Sequence, residues 1–205
     1  MTNDQLDNFI YSCLSFANKA HFDEERYIKG MLDKNLSEST FSEVIIRNYK
    51  IANNQHFGVC FTMTCWAYHL LYTMGLKTGY YILETAEKKT GFPNYVLLYK
   101  FEGEYRICDL AAQVQAIEEA HETLFHIGRN SDYYDKDTLD KALKTLANPS
   151  FVYQSLEDYY KNYNGGILVD ATGIDDDRIF TEIPQIFLLD FLKNEKNGPT
   201  FNVKI

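Results

Sequence analysis

The chain has 205 residues, 45% of them hydrophobic, which is enough for one domain with a proper core. Its formal net charge of -9 argues against broad binding to a phosphate backbone, since that relies on a basic surface, and Lys88-Lys89 is its one adjacent basic pair. No apolar run approaches the roughly 20 residues that span a bilayer, and Met1-Thr2-Asn3-Asp4-Gln5 lacks the charged-then-apolar pattern of a leader, so the expected location is the cytoplasm.

The elements follow from spacing. Residues 5–20 and 24–34 read as helices, the first with Leu6, Phe9, Ile10, Cys13 and Phe16 as its apolar positions. A third helix is expected from Phe41 to about Lys50, opened by capping-box spacing between Thr40 and Glu43. Ile51 to His56 reads as a polar loop leading into the turn Gly58-Val59-Cys60. Residues 59–74 form a helix that is apolar nearly all round, the mark of a buried one, with Gly75 suited to its C-terminal cap. Thr78 to Thr85 reads as a strand, and Glu87 to Pro93 as a charged loop. Tyr95 to Phe101 and Tyr105 to Leu110 are strands joined at Glu102-Gly103-Glu104, a hairpin signal.

Beyond Ala111, helices are expected over 112–125, 138–146 and 155–163, a strand over 165–170, and a last helix opened by Pro184 and running through Leu192. One central buried helix feeding an antiparallel sheet is an α+β plan. With no repeat and no low-complexity linker, residues 1–205 read as a single domain: a helical part (1–56), a core (57–110) and a C-terminal elaboration (111–205).

Cys60 stands out because it opens the buried helix. A helix N-terminus carries partial positive charge, which favours thiolate over thiol, the first requirement of a cysteine nucleophile. The other cysteines, Cys13, Cys65 and Cys108, have no CxxC spacing, and free thiols are expected. Cys60 and Cys65 diverge by about 140° around a helix, and the histidines are dispersed, so neither a metal site nor any other cofactor is expected.

Gly58-Val59-Cys60, the helix ending Leu70-Leu71-Tyr72-Thr73-Met74-Gly75-Leu76, the strand after it and the hairpin ending Ile107-Cys108-Asp109 together resemble the transglutaminase-like branch of the papain-like superfamily. Arylamine N-acetyltransferases share that plan. The resemblance covers residues 57–110 and implies a central helix packed on an antiparallel sheet. It implies further that Cys60 attacks a carbonyl carbon, that Asp109 orients a histidine, and that this histidine starts a hairpin strand. Asn94 occupies that place, in Pro93-Asn94-Tyr95-Val96-Leu97-Leu98. Gln55 resembles the glutamine that donates to the oxyanion in papain-like enzymes.

An amide cannot take and return a proton at neutral pH as imidazole does. His69 lies about 180° around the helix and roughly 13 Å along it from Cys60, out of reach. His21 reads as a surface or capping residue. Two expectations follow. The first is a degenerate member, a binding or interaction module that keeps the cleft. The second is a working cysteine peptidase, amidase or acyltransferase, forming a thioester on Cys60, with His56 or His126 as a displaced base. In either case a peptide, a protein or a small acyl substrate occupies the cleft, with no nucleic acid and no membrane involved.

Overall fold

The computed structural model describes residues 1–32, 41–76, 79–129, 135–169 and 180–182. Thr40, Thr78 at the start of the expected strand, residue 170 and the helix expected after Pro184 lie outside these residues.

The first helix, α1 (Asn3–Ala17), starts earlier than its apolar spacing announces, because Thr2 and Gln5 form a reciprocal capping box. It also ends earlier. Residues 18–20 turn into β1 (His21–Phe22), which is followed by α2 (Glu24–Leu32). The next helix, α3 (Phe41–Gln55), runs five residues past the expected stop and takes in most of the expected polar loop. Tertiary packing decides this: Asn48 and Ala52 are fully buried and extend the inward face begun by Ile45, while Asn53, Asn54 and Gln55 meet solvent. His56 then breaks the helix with φ 51°.

After His56 comes β2 (Phe57–Gly58), paired in parallel with β1. It delivers the chain to α4 (Cys60–Thr73), which is capped beyond its end by Gly75 at φ 83°. Gly58 admits no side chain, since a Cβ there would lie 2.5 Å from Thr62 Cβ. Thr62 cannot easily yield: its hydroxyl donates to Asn48 Oδ1 (3.1 Å) and accepts the Val59 N–H (3.4 Å). Gly58→Ala is therefore expected to destabilise the protein by about 1–3 kcal/mol, the cost of overpacking a filled interior, measured by urea unfolding.

The main sheet is antiparallel throughout. It contains β3 (Tyr80–Glu87), β4 (Pro93–Phe101), β5 (Glu104–Cys108), β6 (Gln154–Ser155), β7 (Tyr163–Val169) and β8 (Phe180–Glu182), in the order β6-β5-β4-β3-β7-β8. The β4–β5 hairpin turns at Glu102 and Gly103, both with positive φ. Between β5 and β6 run α5 (Leu110–Arg129) and α6 (Lys136–Ala147). The expected 155–163 helix is a single turn, α7 (Leu156–Tyr159), and Tyr163 belongs to β7 instead.

Each face of the sheet carries its own core. Met63, Leu71, Ile82, Leu97 and Tyr99 pack with α1 and α5 on the α4 side. Leu83, Val96, Leu98, Ile107 and Tyr159 form the second cluster. The alternation along β4, in which Tyr95, Leu97 and Tyr99 join one core and Val96 and Leu98 the other, is the period of two that a sheet buried on both faces requires. Among the described residues no helix is long and apolar enough to cross a membrane.

Candidate functional site

Cys60 is the first residue of α4 and is partly buried. Backbone N–H groups of Tyr95, Phe61 and Cys60 itself lie near its sulfur. Those donors favour the thiolate, yet the thiol is pushed above its ordinary range. Burial is the largest cause, and the nearby Asp109 carboxylate adds to it against the pull of the N–H groups. The expectation of a thiolate-favouring environment is thus corrected: desolvation outweighs the donors at the helix start.

Asp109 follows β5 and caps α5, its Oδ1 accepting the Ala112 N–H at 3.1 Å. Its own N–H donates to the Phe151 carbonyl at 2.7 Å, which ties the cap to the segment before β6. Asp109 Oδ2 accepts from Asn94 Nδ2 at 2.9 Å. The second Asn94 N–H reaches the Tyr159 hydroxyl at 3.3 Å. Thr85 Oγ1 donates to the Asn94 carbonyl (3.3 Å) and lies 2.7 Å from the Tyr159 hydroxyl, which therefore donates to Thr85. The bonds close a ring of Asn94 amide, Tyr159 hydroxyl, Thr85 hydroxyl and Asn94 carbonyl. Tyr163 stacks on Tyr159 with centroids 4.3 Å apart, and its own hydroxyl is pushed up to about 12, first by burial and then by Asp109.

The structure therefore joins Asn94 to Asp109 directly. Cys60 stands near enough for the Asp109 carboxylate to raise its thiol, while the groups that favour its thiolate are backbone N–H groups. The pleat sets the directions of the β4 side chains. Tyr95 turns its side chain toward α4, and Asn94 turns to the other face with Thr85 and Tyr159. Gln55 ends α3 exposed and does not line the cleft beside Cys60.

None of the five histidines lines that cleft either. His56 is exposed, its ring edge-on to Phe16 at 6.2 Å. His126 lies on α5, seventeen residues and about 25 Å along the axis from the Asp109 cap. His69 packs on Tyr49 with centroids 3.9 Å apart, and His21 bonds Glu118 at 2.9 Å. Among the described residues no group of three metal-ligating side chains is placed to hold an ion.

The cleft has a volume of ≈ 720 Å³ and is walled by Tyr27, Cys60, Phe61, Glu84, Phe92 and Tyr95, among others. Tyr95 ties the cleft wall to α4, its carbonyl accepting from Thr64 at 2.7 Å, and the Glu84 carboxylate beside it helps burial raise its hydroxyl. Thr85 and Glu84 are site residues that sequence reasoning missed. Tyr159 is 74 positions from Thr85, and no local spacing signals their bond.

Asp109 is only 3% exposed, and burial raises its carboxyl pKa above the ordinary value despite the bonds from Ala112 and Asn94. A pKa raised on folding gives stability that is full below the unfolded value and fades as pH rises through the folded one. The Asp109 contribution is expected to weaken as pH climbs above 3.8. Wild type should lose stability relative to Asp109→Asn as pH rises from about 4, measured by urea unfolding of both proteins across that range.

Comparison of the chain with protein-family models, with curated proteins and with solved structures finds no match in any of the three.

Proposed function

We propose that the protein is a transglutaminase-like, papain-related member that binds a ligand in the Cys60 cleft and has lost acyl-transfer chemistry. One observation carries the reading. The Asp109 carboxylate, in the role of the group that would orient a catalytic histidine, is bonded to the amide of Asn94. An amide holds the carboxylate's charge but offers no proton acceptor at neutral pH. The raised thiol of Cys60 fits the same reading, because a nucleophile without a cationic partner stays protonated. A working peptidase, amidase or acyltransferase needs an imidazole at the sulfur, and neither His56 nor His126 lines the cleft.

The reading is tested with p-nitrophenyl acetate, an activated ester that any competent thiol nucleophile attacks. Wild type is expected to release p-nitrophenol no faster than Cys60→Ser. A burst matching the protein concentration, followed by turnover that Cys60→Ser abolishes, would overturn it.

A further inference from the structure

The cleft has an unbalanced charge. Two carboxylates, Glu24 and Glu84, stand among its lining side chains, and among the described residues no Lys, Arg or His does. Glu24 lies in the first turn of α2, where the helix dipole favours its anion. Glu84 is half-buried on β3 beside Tyr95, whose hydroxyl it helps to raise. The wall around them is aromatic: Phe22, Tyr27, Phe61 and Tyr95. The Tyr27 hydroxyl is already engaged with Asn48 Oδ1 at 3.1 Å, so the ring rather than the hydroxyl is what this residue offers.

Carboxylates set among ring faces complement a guanidinium in both of its binding modes. Its planar fork pairs with a carboxylate, and its face stacks on an aromatic ring with little loss of hydration. A compact ammonium makes the first contact but stacks less well and holds its water more tightly. The cleft is also larger than one side chain: its ≈ 720 Å³ lies well inside the range of about 300–1,000 Å³ seen for ligand pockets. Two of its lining apolar side chains face solvent, Phe92 at 71% and Ile28 at 46% exposure. A free guanidinium leaves both uncovered, whereas apolar residues flanking an arginine cover them.

We propose that the cleft beside Cys60 receives an arginine side chain presented by a peptide segment of a partner protein, with Glu84 and Glu24 as its counter-charges. The proposal rests on the binding reading above and adds to it the chemistry of the ligand.

Protection of Cys60 from iodoacetamide, followed by peptide mass spectrometry, tests it. The probes are three capped pentapeptides: Leu-Ala-Arg-Ala-Leu, the same peptide with citrulline, which keeps the shape and removes the charge, and the same with lysine. The arginine peptide is expected to protect Cys60 saturably. The citrulline peptide should need a concentration about tenfold higher or more, the scale of one charge-assisted hydrogen bond, with lysine between the two. Glu84→Gln should narrow the gap between arginine and citrulline. Because the peptides are first compared on wild type, the result does not depend on how that variant folds. Equal protection by arginine and citrulline peptides would overturn the proposal while leaving the binding reading in place. Absence of protection by any peptide would overturn the proposal as well. Cleavage of the arginine peptide by wild type but not by Cys60→Ser would overturn the binding reading itself.

Discussion

Replacing Asn94 with histidine is expected to bring the alkylation of Cys60 to lower pH, by less than the roughly 1–3 units that an opposite charge in direct contact produces, because the pleat turns position 94 to the other face of the sheet. The physical basis is the Asp109 carboxylate. It already holds Asn94 Nδ2 at 2.9 Å and already acts on the Cys60 thiol, raising it. An imidazole at position 94 keeps an N–H on Asp109 Oδ2, and that carboxylate stabilises its protonated form. The resulting cation opposes the two influences that now keep the thiol protonated, burial and the Asp109 charge. Near pH 7 the iodoacetamide rate of Cys60 should rise a few-fold, following the thiolate fraction. Cys13, Cys65 and Cys108 are buried and serve as internal controls in the same mass spectrum. An unchanged profile in Asn94→His would show that position 94 is not electrostatically linked to the sulfur.

Asp109→Ala is expected to cost about 3 kcal/mol of stability, the largest loss of any single substitution at the site. Two groups lose their acceptor at once. The Ala112 N–H loses its cap, worth about 1 kcal/mol. The Asn94 amide is left with one N–H unsatisfied in a part-buried place, worth about 1–3 kcal/mol. Removal of a buried charge offsets part of this. The effect should spread through the ring of Asn94, Tyr159 and Thr85, which links β3, β4 and α7. Asp109→Asn keeps an oxygen for Ala112 and should lose roughly half as much. Thermal unfolding followed by circular dichroism measures both, and a loss below 1 kcal/mol for Asp109→Ala would mean that the cap and the amide bond contribute little.

Much of the α+β plan could be read from the chain because its signals are local. The apolar run of α4, the Gly75 cap and the Glu102-Gly103 turn each carry their own physics within a few residues. What escaped depends on partners distant in sequence. The extension of α3 to Gln55 hinges on the burial of Ala52 under other elements, and three consecutive polar residues mask it. The shortening of the 155–163 helix to one turn reflects the pairing of Tyr163 with Glu87 across the sheet, which outweighs helical spacing.

The site divides in the same way. Cys60 at a helix start and Asp109 at a strand end are visible as sequence positions, and so is Asn94 after Pro93. The bond from Asn94 to Asp109 spans 15 residues through the β4–β5 hairpin and follows from that hairpin's register. The ring through Tyr159 crosses 65 residues from Asn94, and nothing near either residue announces it. The sign of the thiol shift was beyond the sequence for a related reason. A helix N-terminus is readable from spacing, but burial depends on the whole fold, and here it is the larger influence.

The most direct test of a thiol held without a base is the rate of Cys60 alkylation in wild type from pH 5 to 10. A burial-raised thiol predicts an apparent pKa at or above the ordinary value of about 8.5, with at most a few per cent of thiolate near neutrality. An apparent pKa below about 7 would reveal a cation already paired with the sulfur, and the account of a binding cleft without acyl-transfer chemistry would be wrong.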